Sequence, residues 1–146
     1  MTRNNLDNPI FLFTLLLVII TINTISSIHF LLIMIAGVTF ISFYVCLKRK
    51  YLYSLFFIVL TFIFIEINSG LRPLSLTLLS LFIYIFIIPN IDRMMSFSKL
   101  NEYIYILIFY LGVFFIWVMT IGMSDSFIAI IFVNIIIDLL FFGVFI

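Results

Sequence analysis

Six long apolar runs follow one another along this chain, parted by short polar breaks. A helix needs about 20 apolar residues to cross the hydrocarbon core of a bilayer, at about 1.5 Å per residue. The runs show no alternation of apolar and polar positions, which a membrane barrel would require. The pattern therefore predicts an all-α polytopic membrane bundle of six transmembrane helices. They fall at about 9–26, 29–47, 51–68, 74–90, 103–121 and 126–146, in a single domain, 1–146. Pro9 suits a first helical turn after Asn8. The run Asn68-Ser69-Gly70-Leu71-Arg72-Pro73 is rich in helix breakers, and Pro89-Asn90 is expected to close the fourth helix. A polar loop from Asp92 to Glu102 is the longest expected between helices.

Composition agrees with this reading. Apolar residues make up 66% of the chain and charged ones 9%, which leaves no room for a water-soluble domain. The first run, Ile10 to Ile22, approaches the length of a signal-peptide core. No small-x-small cleavage site follows it, so an uncleaved first helix is expected.

Charge fixes an expected orientation. With the N-terminus in the cytoplasm, Arg3, Lys48, Arg49, Lys50, Arg93 and Lys99 all lie inside, and only Arg72 lies outside. Six crossings then place the C-terminus in the cytoplasm too. Tyr51, Tyr53, Tyr103 and Tyr105 fall near the inner helix ends, where amphipathic rings are at home. A net charge of +1 gives no reason to expect a nucleic-acid partner.

The chain has one histidine, His29, and one cysteine, Cys46. It therefore supplies neither an internal disulfide nor a Cys/His metal cluster. No nucleotide-phosphate loop, His-Glu-x-x-His or Gly-x-Ser-x-Gly is present. The expectation is a protein that is not an enzyme, with no cofactor, no metal and no catalytic residues. Two carboxylates fall within expected helices, Glu66 and Asp138, and ionisable groups in a span are functional candidates by default. Glu66, near the outer surface, can snorkel, pair with Arg72, hydrogen-bond the turn that follows, or serve ion coupling. Asp138 lies past the midplane, four residues after Asn134 and on the same helix face. It can bond another helix or form a buried ligand or proton site. Lys48-Arg49-Lys50 reads as a topology determinant that can also touch anionic lipid or an acidic partner. Cys46 is expected to be a small filler, and Trp117 lipid-facing or core bulk.

One stretch carries a resemblance. It reads Phe64-Ile65-Glu66-Ile67-Asn68-Ser69-Gly70-Leu71-Arg72-Pro73-Leu74: a helix ending in an acidic residue, then Ser-Gly, a turn and another apolar helix. Together with Asn134 early in the last helix, it resembles MreD, the rod shape-determining membrane protein family of bacteria. The resemblance spans about 50–146. The chain departs from the family in three places. It has no proline after Asn134, no second glycine around Leu74-Ser75, and no basic tail. The resemblance implies a non-catalytic scaffold in the bacterial cytoplasmic (inner) membrane. Its implied role is to assemble the cell-elongation, peptidoglycan-synthesising machinery. Implied partners are an MreC-like periplasmic protein, the elongasome membrane enzymes and actin-like MreB. Glu66, Ser69, Gly70, Arg72 and Pro73 would form its partner-binding or structural turn, and Asn134 and Asp138 its intramembrane polar pair.

MreD-like proteins also resemble in fold the substrate-binding subunits of energy-coupling-factor vitamin transporters, which supplies an alternative. Those subunits present small residues on the first helix, and here that helix has no Ala or Gly. A small ion or drug exporter is a further alternative, with Asp138 as its one deep charge.

Overall fold

The computed structural model describes residues 6, 8–29, 31–94, 98–122 and 125–145, and among these all regular structure is helical. The helices are α1 (Pro9–Ile28), α2 (Ala36–Arg49), α3 (Leu52–Ser69), α4 (Ser75–Met94), α5 (Ser98–Thr120) and α6 (Asp125–Phe145). Every one except α2 is long and apolar enough to cross a membrane. The chain is a multi-pass helical membrane protein.

Local chemistry sets the ends. Asn8 caps α1 by accepting from the Ile10 amide at 3.1 Å, with Pro9 in the first turn. Gly70 ends α3 at φ 73°, and the Leu71 amide donates back to the Glu66 carbonyl at 3.0 Å. Lys50 ends α2 in the same left-handed conformation.

The centre is α2, whose residues from Ala36 to Cys46 are all buried. A helix that is apolar all round belongs in a protein interior. It packs chiefly on α3 and α5, with α6 and α4 completing the surround, while α1 leans mainly on α3. Phe40 stacks on Phe109 at 4.7 Å, and Phe62 lies against Phe109 and Phe43. Trp117 is core, stacked on Phe127 at 4.2 Å. Cys46 is buried. Buried Thr39, Ser42, Thr61 and Ser80 turn their hydroxyls back to carbonyls of their own helices, so none of these four donors is left bare in the apolar interior.

Three expectations are corrected. The second helix, expected over 29–47, begins only at Ala36; residues 31–35 are non-helical, and Ile35 is left-handed at φ 49°, ψ 35°. Side chains from other helices take up the backbone groups there, an effect local pattern does not carry. Pro89-Asn90 does not close the fourth helix. A π-helical turn at Ile83–Ile87 carries the chain past the proline, and Asn90 donates its side-chain amide to the Phe86 carbonyl at 2.9 Å. The expected loop from Asp92 to Glu102 is therefore mostly helix, and only 95–97, outside the described residues, parts α4 from α5.

Candidate functional site: two helix starts held by carboxylates

Both intramembrane carboxylates do the same thing. Each takes the backbone amides at the start of a different helix. Those first amides have no partner within their own helix and carry the positive end of its dipole, so an anion suits them.

Glu66 is fully buried at the end of α3. Its Oε2 accepts from the Leu74 amide at 2.7 Å, and its Oε1 from the Leu76 amide at 2.6 Å and the Ser75 hydroxyl at 3.4 Å. The carboxylate thus faces the start of α4, and Arg72 points outward on the turn. Gly70 supplies the left-handed step. A Cβ there would meet nothing within 4 Å, so backbone conformation and not space demands the glycine. Ser69 is buried, with no partner for its hydroxyl among the described residues. Pro73 sits in the turn, not in the helix: Leu74 at φ 68° follows it, and α4 begins at Ser75. Leu74 thus takes a left-handed conformation without being glycine.

Asp138 is fully buried on α6. Its Oδ2 accepts from the Gly37 amide and from the Tyr110 hydroxyl, each at 2.6 Å. Its Oδ1 has no partner among the described residues. Gly37 makes this approach possible. A Cβ at that position would stand 2.6 Å from Asp138 Oδ2, 2.8 Å from Ile106 and 3.0 Å from Tyr110. One turn away, Asn134 accepts from the Met34 amide at 2.7 Å and donates to the Leu32 carbonyl at 2.6 Å. It donates as well to Ile130 on its own helix. Asn23 of α1 donates to the Ile33 carbonyl at 2.8 Å and accepts from Asn68 of α3 at 2.7 Å.

Comparison with protein families, curated proteins and solved structures finds no match.

The non-helical stretch 31–35 is therefore held by side chains from α1 and α6. Irregular backbone inside a membrane bundle persists only where protein or water satisfies it. Asn134 and Asp138 were singled out from the sequence, and the structure brings both to the start of α2. Asn23, Gly37, Asn68 and Tyr110 were not. The signals that could have found them are an asparagine inside an apolar run and a lone glycine in another. The two carboxylate sites share no residue.

At the end of the bundle carrying Lys48, a second polar cluster ties three helices. Lys48 donates to the Tyr44 hydroxyl at 2.9 Å, and Tyr44 lies edge-on to Tyr105. The Tyr105 hydroxyl and the Asn101 amide both donate to Asp92. Tyr105, expected near the membrane interface, has its ring buried and its hydroxyl committed.

Proposed function

We propose that this chain is a non-catalytic membrane scaffold of the MreD kind, acting in the bacterial inner membrane. In this reading α2 and the stretch before it make a sixth crossing, and both termini lie in the cytoplasm. The chain organises cell-elongation enzymes, actin-like MreB and an MreC-like periplasmic partner. The observation that carries the reading is the turn from Glu66 to Leu76. The residues behind the family resemblance form one closed structural unit, with the acidic side chain anchoring the next helix and Gly70 turning the chain. Such a unit presents Arg72 and the outward face of the turn in a fixed shape, which suits a docking surface. The aromatic filling around α2 also favours a scaffold over a solute carrier.

Co-expression with an MreC-like protein and co-purification test this reading. The parent should retain the partner, and Arg72→Glu, at an exposed position of the turn, should lose most of it. Equal retention by both would remove the turn from the interface. Reporter fusions at residue 1, 48–50, 92–101 and 146 should all report cytoplasm. A periplasmic signal from 92–101 would overturn the orientation.

The alternative, a vitamin-transporter substrate subunit or another small transporter, is favoured by one observation. A discontinuous span with unwound backbone is where membrane carriers place their sites. In this chain the anion-seeking start of α2 is already filled by Asp138. Mass spectrometry of small molecules retained by the purified protein separates the two readings. A stoichiometric co-purifying vitamin would favour the transporter.

A further inference from the structure

The stretch between α1 and α2 is built against its own sequence. Leu31-Leu32-Ile33-Met34-Ile35 contains neither glycine nor proline, and in an apolar medium such a run gains most by closing its hydrogen bonds as helix. It is unwound nevertheless. Ile35 is buried and β-branched, yet sits at φ 49°, a conformation that costs an L-residue about 1–2 kcal/mol. Four backbone groups of this region, Leu32 C=O, Ile33 C=O, Met34 N–H and Gly37 N–H, are held by Asn134, Asn23 and Asp138 from other helices. The latch itself is incomplete, because Asp138 Oδ1 is buried without a partner among the described residues.

We infer that residues 31–35 are a two-state strap: unwound while Asn134 and Asp138 hold it, and wound onto the start of α2 when they release it. Backbone strain, helix-competent sequence and a side-chain latch from a distant element together define the two states. Ile35 is already turned, so winding the other four residues from at most about 3.3 Å to about 1.5 Å per residue shortens the strap by up to about 7 Å. The loop that joins α1 to α2 is then drawn toward the interior. The strap thus links the polar core of the bundle to one of its membrane faces, whichever function the chain serves.

Spin labels at Leu31→Cys and Ile121→Cys, both outward-facing positions, read the state in a Cys46→Ser background in lipid nanodiscs. The parent should give one dominant distance. Asn134→Leu combined with Asp138→Leu removes the latch and should add or substitute a population displaced by about 5 Å or more. Gly37→Ala tests the same latch independently, because the new Cβ displaces Asp138, and should produce the same second population. Ile35→Gly relieves the strain of the unwound state and should leave only the parental distance. The parental distance alone, in whichever latch variant folds, overturns the inference. Failure of both latch variants to fold would mean that no wound state is accessible, and would overturn it equally.

Discussion

Glu66 and Asp138 perform one task under opposite conditions. Glu66 reaches a helix start only 8–10 residues further along its own chain, and both of its oxygens are engaged. Asp138 reaches across 101 residues to Gly37, shares its Oδ2 with Tyr110, and leaves Oδ1 without a partner among the described residues. The first is a local cap that forms as soon as the turn does. The second forms only when α2, α5 and α6 have come together. A carboxylate in a span therefore need not signal transport, since here each one replaces the missing first turn of a helix.

The largest effect should come from Asp138→Leu. It strands the Gly37 amide and the Tyr110 hydroxyl in the interior, at about 1–3 kcal/mol each. Thermal or denaturant unfolding in detergent should show a loss on the order of 4 kcal/mol. Asp138→Asn keeps an acceptor and should cost less than half as much. If the two variants are equally stable, the comparison fails on the Asp138 side. Gly37→Ala follows. Its Cβ has no room beside Asp138, Ile106 and Tyr110, so it should cost about 1–3 kcal/mol despite alanine's better helix propensity. Stability equal to the parent would show that Asp138 can retreat freely.

Glu66→Gln should cost about 1–2 kcal/mol, because one amide of the α4 start then faces an NH2 group. The same substitution should also raise hydrogen exchange at Leu74–Leu76 while leaving Met34–Gly37 unchanged. Exchange rising at both sites would mean that the two caps are coupled. The smallest effect is a gain. Leu74→Gly replaces a left-handed leucine with the residue that tolerates φ 68°, and should raise stability by about 0.5–1 kcal/mol. A loss of stability there would show that the Leu74 side chain matters more than its strain.

The same contrast explains what could be read in the sequence. The positions of five long helices follow from the apolar runs, because burial in lipid leaves the backbone few other choices. The turn at Glu66 to Pro73 was legible because its parts are adjacent. Gly70 announces the left-handed step, and Glu66 lies one turn before it. The start of α2 was not legible. Nothing between His29 and Ile35 marks a helix break, since the donors and acceptors that stabilise the break lie on Asn23, Asn134 and Asp138. Asp138 attracted notice as a charge in a span, but its partner Gly37 looked like an ordinary small residue in an apolar run. The path of α4 was missed for a different reason. Proline normally ends a helix, and the π-turn that admits Pro89 has no residue signature of its own.

That π-turn has a consequence for how the chain can change length. The Ile88 amide bonds to the Ile83 carbonyl, five residues back, so the turn holds one residue more than an α-helix would. Leu76, Ser80 and Ile83 face inward at ordinary helical spacing, and the next buried position, Ile88, comes five residues later. Deleting one residue from this turn would restore a plain α-helix and leave everything after it facing much as before, because four residues at about 100° each bring Ile88 back to the side of Ile83. Ile88 would stay in the interior, and Asp92 would keep facing Tyr105 and Asn101. A deletion five residues earlier or later would fall on a regular turn and shift the frame without any spare residue to absorb it. Length variation in this helix is therefore confined to one place, where it leaves the facing of the residues beyond the turn nearly unchanged.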